Sequence, residues 1–168
     1  MELPIRVLFL CTGNSCRSII AESLANHLGN HLGKGKLVAL SAGSFPTGSV
    51  NPDALAVLAR HKVSVGDPRS KFWDELAGDD IHLAITVCDA AAGEACPVWM
   101  GGTLRAHWGV ADPAHVQGDA DTIARAFERT FNEMKVRIEA LLALPLENMA
   151  PAELAAALGD IQRRHAHP

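Results

Sequence analysis

Short apolar runs alternate with amphipathic segments along the 168 residues of this chain. Apolar runs of four to eight residues between turn signals are typical of buried strands. Such strands are predicted at residues 5–10, 36–41, 81–87 and 105–108. Apolar residues at helical spacing predict helices over 18–29, from Pro52 onward, and over 120–144. Strands that alternate with helices favour one α/β domain with a parallel sheet.

The stretches between these predicted strands and helices show weaker patterns. Residues 61–65 read as a short strand, and Trp73 with Leu76 indicates a brief helix. Pro145 ends the long helix, and a further helix rich in Ala and Leu begins near Ala150. We therefore expect a domain over residues 1–145 and a helical extension over 146–168 that is appended to it or faces a partner.

The stretch from Cys11 to Ser18, CTGNSCRS, lies between the first strand and the first helix. Backbone N–H groups and a helix N-terminus converge in such a loop, which makes an oxyanion site from Thr12, Gly13, Asn14, Ser15, Cys16, Arg17 and Ser18. These surroundings lower the pKa of a cysteine from about 8.5 into roughly 3.5–7.5, so Cys11 is a candidate nucleophile. Arg17 is placed to donate two hydrogen bonds to the anion. The alternative is a small buried cysteine at a strand end beside an ordinary turn.

Composition and charge exclude several classes of function. The formal charge is −4 without a long basic run, so neither nucleic acid nor an anionic membrane is expected as a partner. The chain has no apolar stretch long enough to span a bilayer and no signal-peptide pattern, which predicts a cytoplasmic protein. Its four cysteines are then reactive thiols rather than disulfides, and their spacing is wider than structural zinc pairs use. We expect no metal and no cofactor.

Two further groups carry chemistry. Cys88 follows the third strand, and Cys96 lies eight positions later in an Ala- and Gly-rich segment. The two thiols could form a disulfide only if that segment unwinds, because a straight helix holds them too far apart. The alternative is a buried Cys88 with an incidental Cys96. Asp112, before Pro113, is a candidate general acid or an ordinary turn residue.

These motifs together resemble the thioredoxin-coupled arsenate reductases, which share the fold of low-molecular-weight tyrosine phosphatases. The resemblance covers about residues 5–143 and rests on CTGNSCRS, the Ser41-Ala-Gly sequence, Asn51-Pro52, both later cysteines, His107-Trp-Gly and Asp112-Pro113. It implies a four-stranded parallel open sheet flanked by helices.

The resemblance also implies a reaction. Cys11 would attack arsenate held by the loop and Arg17, and Asp112 would protonate the departing hydroxyl. Cys88 would displace arsenite from Cys11, and Cys96 would then form a disulfide with Cys88 that thioredoxin or glutaredoxin reduces. Phosphate and sulfate are expected to compete with arsenate.

Other interpretations stay open on sequence alone. A phosphatase acting on phosphate monoesters needs only Cys11, Arg17 and Asp112, although no aromatic residues follow Asp112-Pro113 and the chain has no Tyr. A redox sensor would use the same thiols without a substrate. Lys71 lies where some relatives have an acidic ligand for potassium, which predicts no potassium requirement.

Overall fold

The computed structural model describes residues 2–32, 35–94 and 97–165 and is built on one four-stranded sheet. Its strands are β1 (Ile5–Leu10), β2 (Leu37–Ala42), β3 (Leu83–Thr86) and β4 (Leu104–His107). They lie in the order β2-β1-β3-β4, and each neighbouring pair is parallel. The predicted α/β class and the four-stranded parallel sheet are confirmed.

Helices follow the strands closely. The described residues form α1 (Arg17–His31), α2 (Pro52–Arg60), α3 (Asp89–Ala92), α4 (Ala120–Leu142) and α5 (Pro151–Arg164). The predicted helix at Trp73 is a 3₁₀ helix, Trp73–Leu76. Asn51 caps α2 by accepting a hydrogen bond from the Asp53 N–H at 2.8 Å. No helix in the described ranges is long and apolar enough to cross a membrane.

Residues 61–65 were predicted as a strand, and this prediction is wrong. Lys62 has a φ of 57°, and the Val63 N–H donates to the Leu58 carbonyl at 2.9 Å. The chain therefore turns at the end of α2 instead of pairing with the sheet. Val63 is apolar because it packs into the core from this turn.

The sheet separates two apolar clusters, and β1 shows how. Ile5, Val7 and Phe9 belong to the main core, which the helices share, and all three are fully buried. Leu8 and Leu10 belong to a smaller cluster. Successive strand residues point to opposite faces, so the run is apolar throughout because both faces are covered.

The last helix is part of this core. Leu154, Leu158 and Ile161 on α5 are fully buried in the main cluster. The indole N–H of Trp108 donates to the Leu158 carbonyl at 3.2 Å, and both groups are buried. The α5 helix packs against β4 and α4, so it is not a separate appendage, and the expectation that it faces a partner stays a prediction. A domain boundary at residue 145 stays a prediction.

Candidate active site

The loop Cys11–Ser18 connects β1 to α1, and its carbonyl groups point outward. The Phe45 N–H donates to the Thr12 carbonyl at 3.0 Å, and the Thr47 N–H donates to the Gly13 carbonyl at 3.0 Å. The Asn51 N–H donates to the Ser15 carbonyl at 2.8 Å. The C=O and N–H of a trans peptide point in opposite directions. The N–H groups that follow these carbonyls therefore face the inner side of the loop, an arrangement that suits an anion.

Asn14 fixes the shape of this loop. It is fully buried and has a φ of 46°, a left-handed conformation that asparagine tolerates better than most residues. Its amide donates to the Ser18 hydroxyl at 2.9 Å and accepts from the Lys71 N–H at 2.9 Å. One side chain thus ties the loop to α1 and to the segment before the 3₁₀ helix.

Gly43, just beyond β2, presses against the same loop. A Cβ at this position would lie 2.5 Å from the Cys11 carbonyl oxygen and closer still to that of Thr12. Such contacts lie far inside van der Waals distance, so the backbone can approach the loop only because residue 43 is glycine.

The first and third strands bring two thiols together. Cys11 follows β1 and Cys88 follows β3, which pair directly, and the two side chains share a hydrogen bond. Cys88 also precedes α3, where its sulfur accepts the Ala91 N–H at 3.4 Å. The hydrogen bond from Cys11 lowers the pKa of Cys88 to about 5, against the opposing effect of burial.

The expectation that the loop lowers the pKa of Cys11 is wrong for this arrangement of the thiols. The hydrogen bond with Cys88 and burial raise the pKa of Cys11. Arg17 and the Gly13 N–H lower it as expected, but they are outweighed. At neutral pH the pair therefore carries one thiolate, and it lies on Cys88. Binding of a ligand, or transfer of the Cys11 proton to Cys88, moves the thiolate to Cys11.

Arg17 and Asp112 lie at the rim of the loop. One guanidinium nitrogen of Arg17 donates to the Val110 carbonyl at 3.0 Å, and another lies 3.5 Å from Asp112 Oδ2. The Nε of Arg17 is buried and has no hydrogen-bond partner among the described residues. Asp112 accepts from the Ala114 N–H at 2.9 Å, and its Oδ2 lies 3.3 Å from Nε2 of His115. The described site thus unites Cys11, Arg17, Cys88 and Asp112.

The remaining two cysteines differ from this pair. Cys16 is buried at the start of α1, and burial, followed by the Asp112 carboxylate, raises its pKa to about 12. Cys16 therefore stays a protonated thiol. Cys96 lies outside the described residues, so its predicted role in a disulfide stays a prediction.

Two contacts that sequence reasoning missed hold the segment after Cys88. Asp89 Oδ1 lies 3.0 Å from Nε2 of His107, at the end of β4, and the Thr12 hydroxyl donates to Glu94 at 2.6 Å. Asp89 and Glu94 are polar residues inside an otherwise Ala- and Gly-rich segment, and this contrast was the signal from which sequence analysis could have predicted the contacts. These contacts join the segment to β4 and to the loop.

A cavity of about 620 Å³ opens beside Cys88 and Asp112. Its wall includes Arg17, His107, His115 and, from α5, Gln162. No aromatic side chain other than histidine lines it. The cavity is therefore suited to small polar ligands rather than to an aromatic ring.

A polar cluster lies behind the loop. Ser41 donates to Glu22 at 2.9 Å, and burial raises the pKa of Glu22 while the ammonium of Lys71 lowers it. The described ranges contain no group of three or more His, Cys, Asp or Glu residues suited to a metal ion. Independence from potassium and from other cofactors stays a prediction.

The site combines a thiol in an oxyanion loop, between the first parallel strand and the first helix, with an arginine and an aspartate at the rim of that loop. This combination is typical of phosphatase-like proteins that use a cysteine nucleophile. The model of the low molecular weight phosphotyrosine protein phosphatase family matches residues 6–155. The chain belongs to this family.

Arsenate reductases are among the similar proteins, and a low molecular weight protein tyrosine phosphatase from T. tengcongensis shares the fold with a TM-score of 0.65. The arsenate reductase of Bacillus licheniformis is 34% identical over 134 residues, which cover 79% of this chain and 91% of that protein. A solved arsenate reductase in its phosphate-binding state is 27% identical with a TM-score of 0.67, covering 83% of this chain and 97% of that one. The arsenate reductase of Archaeoglobus fulgidus is 25% identical with a TM-score of 0.65, covering 82% and 99%.

Proposed function

We propose that this chain reduces arsenate to arsenite with electrons from its own thiols, which an external thiol reductant regenerates. The observation that carries the proposal is the placement of Cys11 and Cys88 after the paired strands β1 and β3, where each thiol shifts the pKa of the other. Hydrolysis of a phosphate ester needs a nucleophile, an arginine and an acid, but it has no use for a second thiol. The names of the similar proteins support the same choice.

The first step attaches the oxyanion to Cys11. Arsenate binds to the inward N–H groups of the loop and to Arg17, whose unpartnered Nε gains an acceptor. Passage of the Cys11 proton to Cys88 puts the thiolate on Cys11, which attacks arsenic and forms an S–As bond. Asp112 gives a proton to the departing hydroxyl, which leaves as water.

The second step is the reduction. Cys88 passes its proton to the Asp112 carboxylate left by the first step, since both residues line the same cavity. Its thiolate then attacks the sulfur of Cys11, so an S–S bond forms and the S–As bond breaks. The electron pair of the broken bond stays on arsenic, which leaves as arsenite. Over both steps, arsenate and two thiols give arsenite, one disulfide and water.

The third step frees Cys11. The Cys96 thiolate attacks Cys88, and the disulfide moves to the Cys88–Cys96 pair, where an external dithiol reduces it. The reductant is thioredoxin or glutaredoxin, since both deliver two electrons by thiol exchange. The cytoplasm is the proposed location, because it keeps such thiols reduced.

A disulfide map tests the proposal. Fully reduced protein is mixed with stoichiometric arsenate, without external reductant, and its thiols are counted and mapped beside a phosphate control. The expected result is the loss of two thiols, a Cys88–Cys96 link and one arsenite per chain. Four surviving thiols together with aryl-phosphate hydrolysis would reject reduction and make the protein a phosphatase.

Competing anions give a second readout. Phosphate and sulfate share the tetrahedral shape and charge of arsenate, so both are expected to slow arsenate-dependent thiol loss without causing thiol loss themselves. Thiol loss with phosphate alone would show that the thiols are oxidised by air rather than by the bound oxyanion.

A further inference from the structure

The C-terminal helix reaches the active site through the segment that carries the candidate acid. Trp108, whose indole donates to the Leu158 carbonyl, lies four residues before Asp112. The fully buried Arg137 on α4 donates to the Gly109 carbonyl at 3.2 Å and to the His165 carbonyl at 3.0 Å. The end of α5 and the segment after β4 are therefore held by the same side chain.

Gln162 is the residue of α5 that enters the site. Its side chain lines the cavity together with Arg17, Cys88 and Asp112. Its Oε1 is buried and has no hydrogen-bond partner among the described residues. The family match ends at residue 155, so Gln162 lies beyond the part of the chain that the family model describes.

We propose that Gln162 is a specificity-determining residue, whose amide gives the cavity a polar wall that favours hydrated inorganic oxyanions over aryl phosphate esters. This inference rests on the proposed function, because it concerns the choice of substrate at the same site. An aryl ring against the amide would bury a polar group without a hydrogen bond, which is unfavourable. Water or an oxygen of the oxyanion can instead accept a hydrogen bond from the amide N–H.

The test replaces the amide by an apolar group of similar size. Gln162→Leu is compared with Arg163→Leu, since Arg163 is the next residue on α5 and its side chain is 73% exposed. We expect Gln162→Leu to change the ratio of kcat/KM for p-nitrophenyl phosphate to that for arsenate by about tenfold in favour of the ester. Arg163→Leu is expected to leave the ratio at the wild-type value, and an equal change in both variants would overturn the proposal.

Binding gives a readout that does not depend on turnover. Protection of Cys11 from alkylation is titrated with inorganic phosphate and with phenyl phosphate, and thermal melting verifies that each variant is folded. Gln162→Leu is expected to tighten phenyl phosphate relative to phosphate. An unchanged ratio in a folded variant would reject the role of Gln162, whereas absence of arsenate reduction by the wild type would reject only the proposed function.

Discussion

The oxyanion loop and the segment after Cys88 meet at one pair of sulfur atoms, yet they are held in different ways. Each of three loop carbonyls accepts a backbone N–H from outside the loop, and Asn14 is fully buried. Residues 89–94 are exposed or half-buried, and the side chains that hold them are Asp89, with 95% exposure, and Glu94. The loop is thus fixed from several sides, and the segment is fixed at two points.

The two steps of the proposed chemistry explain this difference. A charged tetrahedral anion is best stabilised by donors that are already in place, because their reorganisation would add to the barrier. A disulfide relay instead requires one sulfur to reach two partners in turn, and disulfide geometry requires Cα atoms within about 7 Å. The segment is therefore expected to rearrange while the loop keeps its shape.

Removing the thiol of Cys11 from the oxyanion loop gives the largest expected effect. Cys11→Ser should lower both arsenate reduction and aryl-phosphate hydrolysis by at least about 10⁴-fold, because both begin with this nucleophile. Steady-state assays of the two reactions measure the loss. Cys16→Ser removes another thiol from the same loop but keeps the backbone N–H groups that bind the anion, so this control should keep both activities; equal loss there would mean that the loop, not the nucleophile, was damaged.

Removing the last thiol of the proposed relay should separate the two reactions. Cys96→Ser is expected to stop arsenate turnover after one arsenite per chain, since the disulfide between Cys11 and Cys88 cannot move on. Hydrolysis of p-nitrophenyl phosphate by reduced protein should continue at the wild-type rate. Single-turnover and steady-state assays distinguish these outcomes, and a parallel loss of both activities would assign Cys96 a structural role.

The candidate acid, Asp112, lies at the rim of the oxyanion loop. Asp112→Asn should slow both reactions by roughly 10²–10⁴-fold, because an amide cannot protonate the departing oxygen. Binding of phosphate, measured by protection of Cys11, should survive. An unchanged rate would place the acid elsewhere.

The rigidity of the loop can be tested without touching its own residues. Gly43→Ala should lower the free energy of unfolding by roughly 1–3 kcal/mol, because the new methyl group would overlap two loop carbonyls. Gly78→Ala is the matched control, since a Cβ there meets nothing within 4 Å. Denaturant titrations measure both variants, and equal stability would show that the loop can move away from β2 at little cost.

A pH titration addresses the shared hydrogen bond itself. Cys88 has a lowered pKa, so its thiolate is present above about pH 5 and is lost as the pH falls through that value. Alkylation of Cys88 should follow this midpoint. Cys11→Ala removes the main cause of the lowering, so the midpoint should rise toward the ordinary thiol value of about 8.5. A midpoint that stays near pH 5 would assign the lowering to the Thr12 and Ala91 N–H groups.

Sequence alone was sufficient where the determinants are local. The apolar run, the CTGNSCRS loop and the helix after it lie within residues 5–31, and their structure follows from neighbouring residues. The strand at 61–65 failed because Val63 is apolar for a contact with the core that the pattern does not specify. The raised pKa of Cys11 depends on Cys88, which lies 77 residues later and is brought close by strand pairing.

The position of α5 illustrates the same limit. Its Ala- and Leu-rich composition predicted a helix, but composition does not say against which surface a helix packs. The carbonyl of Leu158 and the cavity wall formed by Gln162 are properties of the packed helix, so no motif pointed to them. Residues that act through tertiary packing were therefore missed, whereas residues within a continuous motif were found.

The burial of Trp108 gives the protein an optical property. Its indole is fully buried, lies 6.5 Å from the ring of Phe9 and is bonded to α5, whereas Trp73 and Trp99 are half-buried. Emission from a shielded indole shifts to longer wavelength when water reaches the ring. Detachment of α5 from the sheet would therefore be visible in the intrinsic fluorescence of the unlabelled chain.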